Sequence, residues 1–180
     1  LMPSYRAIVL ANQVAKHHHR LVRQKLVVAL NATKFLLESQ AGDRQGHSTA
    51  LTNVTLRLAI QACRLKDQPA VVNFVDLQNA FYTVVRELLL PIQTHPDQVE
   101  AIIDDMDISL AYVPILEELL AGYQVLVEAG IDHHTLDILI DFNTLTWFTM
   151  DGSEQCVHSL RGTCPGKPLA GTLFNCAIQP

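Results

Sequence analysis

Charge is scarce in this chain. Only 17% of its 180 residues are Asp, Glu, Lys or Arg, while 49% are hydrophobic, which excludes the charge-rich, apolar-poor composition of disordered chains. Eight glycines and eight prolines are too few for a collagen-like or low-complexity sequence. The mass of 20.0 kDa suits one ordinary domain or two small subdomains. Four cysteines, Cys63, Cys156, Cys164 and Cys176, form no C-x-x-C pair and no regular spacing, so neither a zinc site nor a disulfide framework is indicated and they read as reduced, intracellular thiols. Long apolar runs are missing as well. Stretches such as 26–30 and 88–90 fall far below the roughly 18 residues that a spanning helix takes, and no membrane partner is expected. The first residue is Leu, and no charged, apolar, small-residue leader follows it. The expectation is a stretch of a longer chain without a secretory signal, placed inside the cell, in nucleus or cytoplasm.

The charges that are present are segregated. Residues 1–66 carry ten Lys or Arg against the two acids Glu38 and Asp43, or +8; residues 67–180 carry Arg86, Arg161 and Lys167 against sixteen acids, or −13. The net −5 would by itself argue against a polyanionic partner, since nucleic-acid binding rests on Lys and Arg neutralising phosphates. The division suggests instead a basic lobe facing something anionic beside an acidic lobe with another task. The alternative is a folded surface that mixes the two ends.

Periodicity sets the expected elements. After a β-prone run near residues 5–10, Val14, His18, Leu21, Val22, Lys25, Leu26 and Ala29 recur at helical spacing and predict a basic amphipathic helix over 12–30. A polar, turn-rich stretch at 39–48 precedes a second helix over 49–66, ended by Asp67-Gln68-Pro69. The β-branched run AVVNFV at 70–75 predicts a buried strand, stopping at Asp76 before a helix over about 78–90. Residues 91–142 read as acidic and mostly helical, interrupted at Pro96, Pro114, Gly122 and Gly130. Two β-prone runs about Asp151-Gly152 predict a hairpin over 145–160. A Gly/Pro loop at 161–168 follows, with Pro168 suited to the first turn of a last helix. Strands and helices mix without a repeating βα unit, so the expected class is α+β.

An acid at the carboxyl end of a buried strand is held rigidly enough to meet a metal or substrate, and Asp76 is such a residue, although an Asp opening a helix also serves as an N-cap. The segment 74–86, FVDLQNAFYTVVR, resembles the first palm motif of reverse transcriptases, with its strand-end Asp and an Ala-aromatic pair. Upstream, Gln40-x-Gly42-x-Arg44-x-Gly46-x-Ser48-Thr49 is similar to a signature of retroelements that lack long terminal repeats. YRAI at 5–8, with Lys16 ten residues after Arg6, resembles the fingers motif whose Arg meets the incoming triphosphate. Downstream, RGTCPGKPLAGTLFN at 161–175 resembles the second palm motif, R-G-x-x-Q-G-x-P-L-S-x-x-L-F. Pro165 stands where Gln is usual, Ala170 where Ser is usual and Lys167 where Asp is frequent, a variant similar to divergent LINE-like elements of protists, dinoflagellates especially.

The resemblance implies a right-hand polymerase fold. Residues 1–69 would be a fingers-like segment and 70–180 a partial palm with an acidic helical insertion at 91–142, the Y-x-D-D hairpin lying beyond Pro180. It implies an RNA-directed DNA polymerase with Mg²⁺ or Mn²⁺ as cofactor and an RNA template, a DNA primer or target and dNTPs as partners. Two divalent ions about 3.5–4 Å apart would activate the primer hydroxyl and stabilise the leaving pyrophosphate. Asp76 and the Leu77 carbonyl would supply part of the hard-oxygen cage. Arg6 would hold phosphate oxygens with its planar fork, Phe81 would reject a ribose 2′-hydroxyl by clash, and Gly166 would admit the nucleotide close to the backbone. Lys16, Arg44 and Arg161 would touch the nucleic acid. The piece alone is expected to be inactive, its metal cage incomplete. A decayed copy keeping the fold without activity, and an α+β module binding RNA or an acidic partner, are the competing readings.

Other polar clusters have plainer explanations. Consecutive helical residues point about 100° apart, so His17, His18 and His19 cannot converge on one ion and are expected to form a polar helix face. Asp104-Asp105 precedes the second palm motif, against the family order, and reads as solvated. Asp132, His133 and His134 have no further ligand at a recognisable spacing. Trp147 and Phe148 are expected to be core and sheet residues.

Overall fold

A computed structural model describes residues 9–44, 46–77, 79–92, 96–105, 107–122, 124–144, 146–152, 154–159 and 161–179. They form a helix-rich arrangement with one two-stranded antiparallel sheet, in keeping with a mixed α+β class. The chain divides into two compact units, residues 1–36 with 79–180, and residues 37–78. This division does not follow the charge boundary near residue 66.

The first unit is organised by α1, Gln13–Ala32. Asn12 caps it, its side-chain oxygen accepting the Ala15 N–H at 2.7 Å, which satisfies one of the donors a helix start leaves free. At the other end Lys34 takes a left-handed φ of 54°, and the Phe35 N–H returns to the Leu30 carbonyl at 3.1 Å, closing the helix in a Schellman turn. His19, Val22, Leu26 and Leu30 are buried along one stripe, while Val14 and Leu21 of the expected pattern face solvent.

That stripe joins a core drawn from α3 (Arg86–Leu89), α6 (Val125–Glu128), α7 (His133–Asn143) and α8 (Ala170–Ala177), with Leu89, Leu126, Leu139 and Leu173 at its centre. Burial of each such side chain contributes on the order of 1.5–3 kcal/mol. The acidic stretch is helical as expected, through α4 (Pro96–Asp105), a 3₁₀ turn (Leu110–Tyr112), α5 (Val113–Gly122), α6 and α7. Pro96 and Pro114 open helices rather than break them, which their missing N–H permits in a first turn. The hairpin forms about Asp151-Gly152, with β1 (Trp147–Thr149) paired to β2 (Cys156–His158) and Phe148 opposite Val157. Trp147 lies in the sheet but is 63% exposed, so it is not the core residue expected. No helix among the described residues is long and apolar enough to cross a membrane.

The second unit contains α2, Thr49–Leu65, capped by Ser48 and ended by Asp67 in the left-handed region. Three expectations near the unit boundary are corrected. Residues 70–75 form no strand; they run without helix or ladder, and Val71, Phe74 and Val75 are more than 80% exposed. A β-prone run becomes a strand only when a neighbour accepts its main-chain hydrogen bonds, and among the described residues the sole strand pairing is β1 with β2. The helix expected over 78–90 shrinks to α3, because Asn79 adopts φ 54° and a turn over 79–83 follows, its Tyr82 N–H bonded to the Asn79 carbonyl at 2.7 Å. Pro168 lies ahead of α8, whose first residue is Ala170 after the cap Leu169.

Candidate functional site

In the first unit, the turn at 79–85 and the loop at 161–168 are built against each other. The Thr163 N–H donates to the Phe81 carbonyl at 2.7 Å and the Gly162 N–H to the Val84 carbonyl at 2.8 Å. Gly162 sits at φ +82°, and a Cβ there would lie 2.8 Å from the Phe81 carbonyl oxygen and 2.9 Å from the Tyr82 Cα, so only glycine lets the two backbones approach this closely. The Phe81 ring meets the Phe174 ring of α8 at 4.9 Å between centroids. The 79–85 turn is thus joined through Phe81 both to the 161–168 loop and to α8.

The strongest link between them is Arg86. The residue is 3% exposed, and its guanidinium donates from Nε to the Gly162 carbonyl at 2.7 Å, from Nη1 to the Asn143 and Ser159 carbonyls and the Thr146 hydroxyl at 2.7–2.9 Å, and from Nη2 to the Ser159 hydroxyl and Arg161 carbonyl at 3.0 Å. Nη2 also lies 3.7 Å from the Cys164 Sγ. Burial draws its pKa downward, opposed by Cys164 and Glu87, and the group remains a cation.

Beside this loop lies α1. The Val9 N–H donates to the Pro165 carbonyl at 2.9 Å, and Arg23 Nε donates to the Thr172 hydroxyl of α8 at 3.2 Å. His19 stacks on Phe142 at 4.2 Å and its pKa is pushed down to about 4, first by burial and then by the positive charges of Lys167 and His18. The expected polar face therefore holds for His17 and His18, which are exposed, and not for His19. Burial pushes the Cys176 thiol up to about 12, which makes it a packing residue rather than a nucleophile. No disulfide joins the four cysteines. Asp132 caps α7, and its bonds from the Thr135 hydroxyl and N–H hold its pKa below the usual range.

The expected site residues fall as follows. Phe81, Gly166, Lys16 and Arg161 belong to the first unit. Gly166 is exposed at φ +103°, Lys16 is half-buried on α1, and Arg161 is half-buried with its carbonyl bound by Arg86. Asp76, Leu77 and Arg44 belong to the second unit. Asp76 and Leu77 are exposed in the 68–77 segment, which joins no helix or strand, and Arg44 spends its Nη1 donor on the Leu37 and Gln40 carbonyls at 2.7 and 3.3 Å, bracing its own loop. Arg6 lies outside the described residues.

Among the described residues no three His, Cys, Asp or Glu side chains gather to hold a metal ion. One exposed carboxylate and a backbone carbonyl do not make a cage for Mg²⁺, which takes six oxygens in near-octahedral order. The residue that composition could have flagged is Arg86, a lone base inside the apolar run VVRELLL and one of only three in the last 114 residues. No family model, no curated protein and no solved structure matches the chain.

Proposed function

We propose that this chain is the fingers and partial palm of an RNA-directed DNA polymerase from a retroelement lacking long terminal repeats. The observation that carries the reading is the order of four motifs along the chain, at 5–16, 40–49, 74–86 and 161–175. Support comes from the backbone bonds of Phe81 and Val84 to the 161–168 loop, since a polymerase needs its sugar-facing aromatic and its template-side loop in one rigid frame. Phe81 would exclude the ribose 2′-hydroxyl, Gly166 would admit the nucleotide near the backbone, and Lys16 and Arg161 would meet phosphates. Asp76 would be the acid of the reaction centre, in company with carboxylates beyond those described.

The test is primer extension on an RNA template, with Mg²⁺, by the longer polypeptide that contains these residues. dNTP incorporation abolished by Asp76→Ala, with ribonucleotides admitted by Phe81→Val, is the expected result. Extension by the 180-residue chain alone, lost on Asp76→Ala, would overturn the expectation that it is inactive. A second reading, a non-catalytic RNA-binding module or decayed copy, is favoured by the solitary, exposed Asp76. Retained RNA binding without any incorporation would establish it.

A further inference from the structure

We propose that Arg86 is a positioning residue that sets the conformation of the 161–166 loop, and that through this loop it fixes Gly166 relative to Phe81 for nucleotide binding. The second half rests on the polymerase reading; the first half does not. Arg86 takes four carbonyls, two hydroxyls and the Cys164 sulfur as acceptors. They come from the end of α7 (Asn143), the approach to β1 (Thr146), the exit from β2 (Ser159) and the loop itself (Arg161, Gly162, Cys164). A buried cation normally meets a carboxylate. Glu87 is next in sequence and buried, yet its Oε2 has no hydrogen-bond partner, so the guanidinium spends its donors on carbonyls, hydroxyls and a sulfur and none on this carboxylate oxygen.

This geometry belongs to a planar fork. Five N–H donors in fixed directions reach these four places at once, which the three rotatable donors of an ammonium group on a narrower head cannot reproduce. The loop gains from such help, because Gly162, Cys164 and Gly166 all have positive φ, and its local bond from the Lys167 N–H to the Cys164 carbonyl at 3.1 Å does not reach Arg161 or Gly162. Arg86 also sits in the segment that supplies Phe81. Fixing the loop to Arg86, and its amides to Phe81 and Val84, therefore sets the Phe81-to-Gly166 placement as one construction.

Amide hydrogen exchange on the 180-residue chain tests the proposal. In Arg86→Lys, which keeps the charge, exchange at the Gly162 and Thr163 amides should quicken about tenfold or more, the scale expected when hydrogen bonds to a charged group are lost, while amides around Leu26 on α1 change less than about twofold. In Arg86→Ala, free guanidinium ion at non-denaturing concentration should restore loop protection, and it should do nothing for Arg86→Lys. Unchanged loop exchange, or equal loss along α1 and the loop in Arg86→Lys, would overturn the positioning role and leave Arg86 as a general stabilising residue. With dTTP and Mg²⁺ added, the wild-type loop should gain protection that Arg86→Lys does not. A wild-type loop indifferent to the nucleotide would overturn the nucleotide half, with the exchange result on Arg86 standing apart and the polymerase reading decided separately by primer extension with the longer polypeptide.

Discussion

The two compact units use the same local devices and reach different ends. Each has a long helix with a side-chain N-cap, Asn12 on α1 and Ser48 on α2, and each helix stops at a non-glycine residue in the left-handed region, Lys34 and Asp67. Yet α1 buries four side chains and α2 buries none, with Leu51, Val54 and Leu58 all more than half exposed. Caps and an amphipathic period suffice to make a helix; a core forms only where another element meets the apolar stripe. Most helical stability comes from that meeting and not from propensity. In the first unit α7 and α8 supply the partner, and Arg86 and Gly162 lock the loop that leads into α8.

The largest expected effect breaks the first unit at that lock. Gly162→Ala places a methyl within 3 Å of two backbone atoms and strains a left-handed φ, so it should cost on the order of 4 kcal/mol of unfolding free energy, read as a shift in denaturant midpoint. Next comes a matched pair. Leu26→Ala, at 0% exposure, should cost about 3 kcal/mol, whereas Leu58→Ala on α2, at 60% exposure, should move stability by less than about 0.5 kcal/mol. Equal costs for the two would erase the contrast in burial.

The same contrast explains what the sequence could and could not reveal. α1, α2 and the hairpin at Asp151-Gly152 were legible because their signals are local: a cap, a period of 3.6, a D-G turn between alternating runs. The 70–75 strand was not, since AVVNFV has the composition of a strand but no ladder partner among the described residues. The helix expected over 78–90 failed at Asn79, where a left-handed residue turns the carbonyls of Phe81 and Val84 outward to receive the loop. Of the candidate site, the bonds between the 79–85 turn and the 161–168 loop were not legible, because they join main-chain groups. Nor was the role of Arg86, because four of its seven acceptors are main-chain carbonyls, which carry no sequence signature.

A smaller effect concerns pH. The unfolded chain binds a proton at His19 near 6.5, while in the folded chain burial against Phe142, with Lys167 and His18 nearby, lowers this to about 4. Between these values the unfolded state holds more protons, so stability present above pH 6.5 is lost as pH falls toward 4. The His19 share should be on the order of 1–2 kcal/mol. It is read as the difference between wild type and His19→Leu in denaturation across that range, and parallel curves for the two would contradict it.

The smallest effect probes whether the second unit is as independent as the lack of buried side chains among its described residues implies. Asp67 closes α2 with the Gln68 N–H on the Cys63 carbonyl at 2.9 Å and its own N–H on the Arg64 carbonyl at 3.2 Å, and it pays a steric cost for φ 53° that glycine would avoid. Asp67→Gly should therefore stabilise α2 by about 0.5 kcal/mol, slowing exchange of its last-turn amides roughly twofold. The unfolding midpoint of the first unit should stay where it is, because α2 shares no buried side chain with that core. A midpoint that rises with α2 protection would mean that both units unfold as one cooperative body, and that the absence of buried side chains among the described residues of 37–78 does not make its stability local.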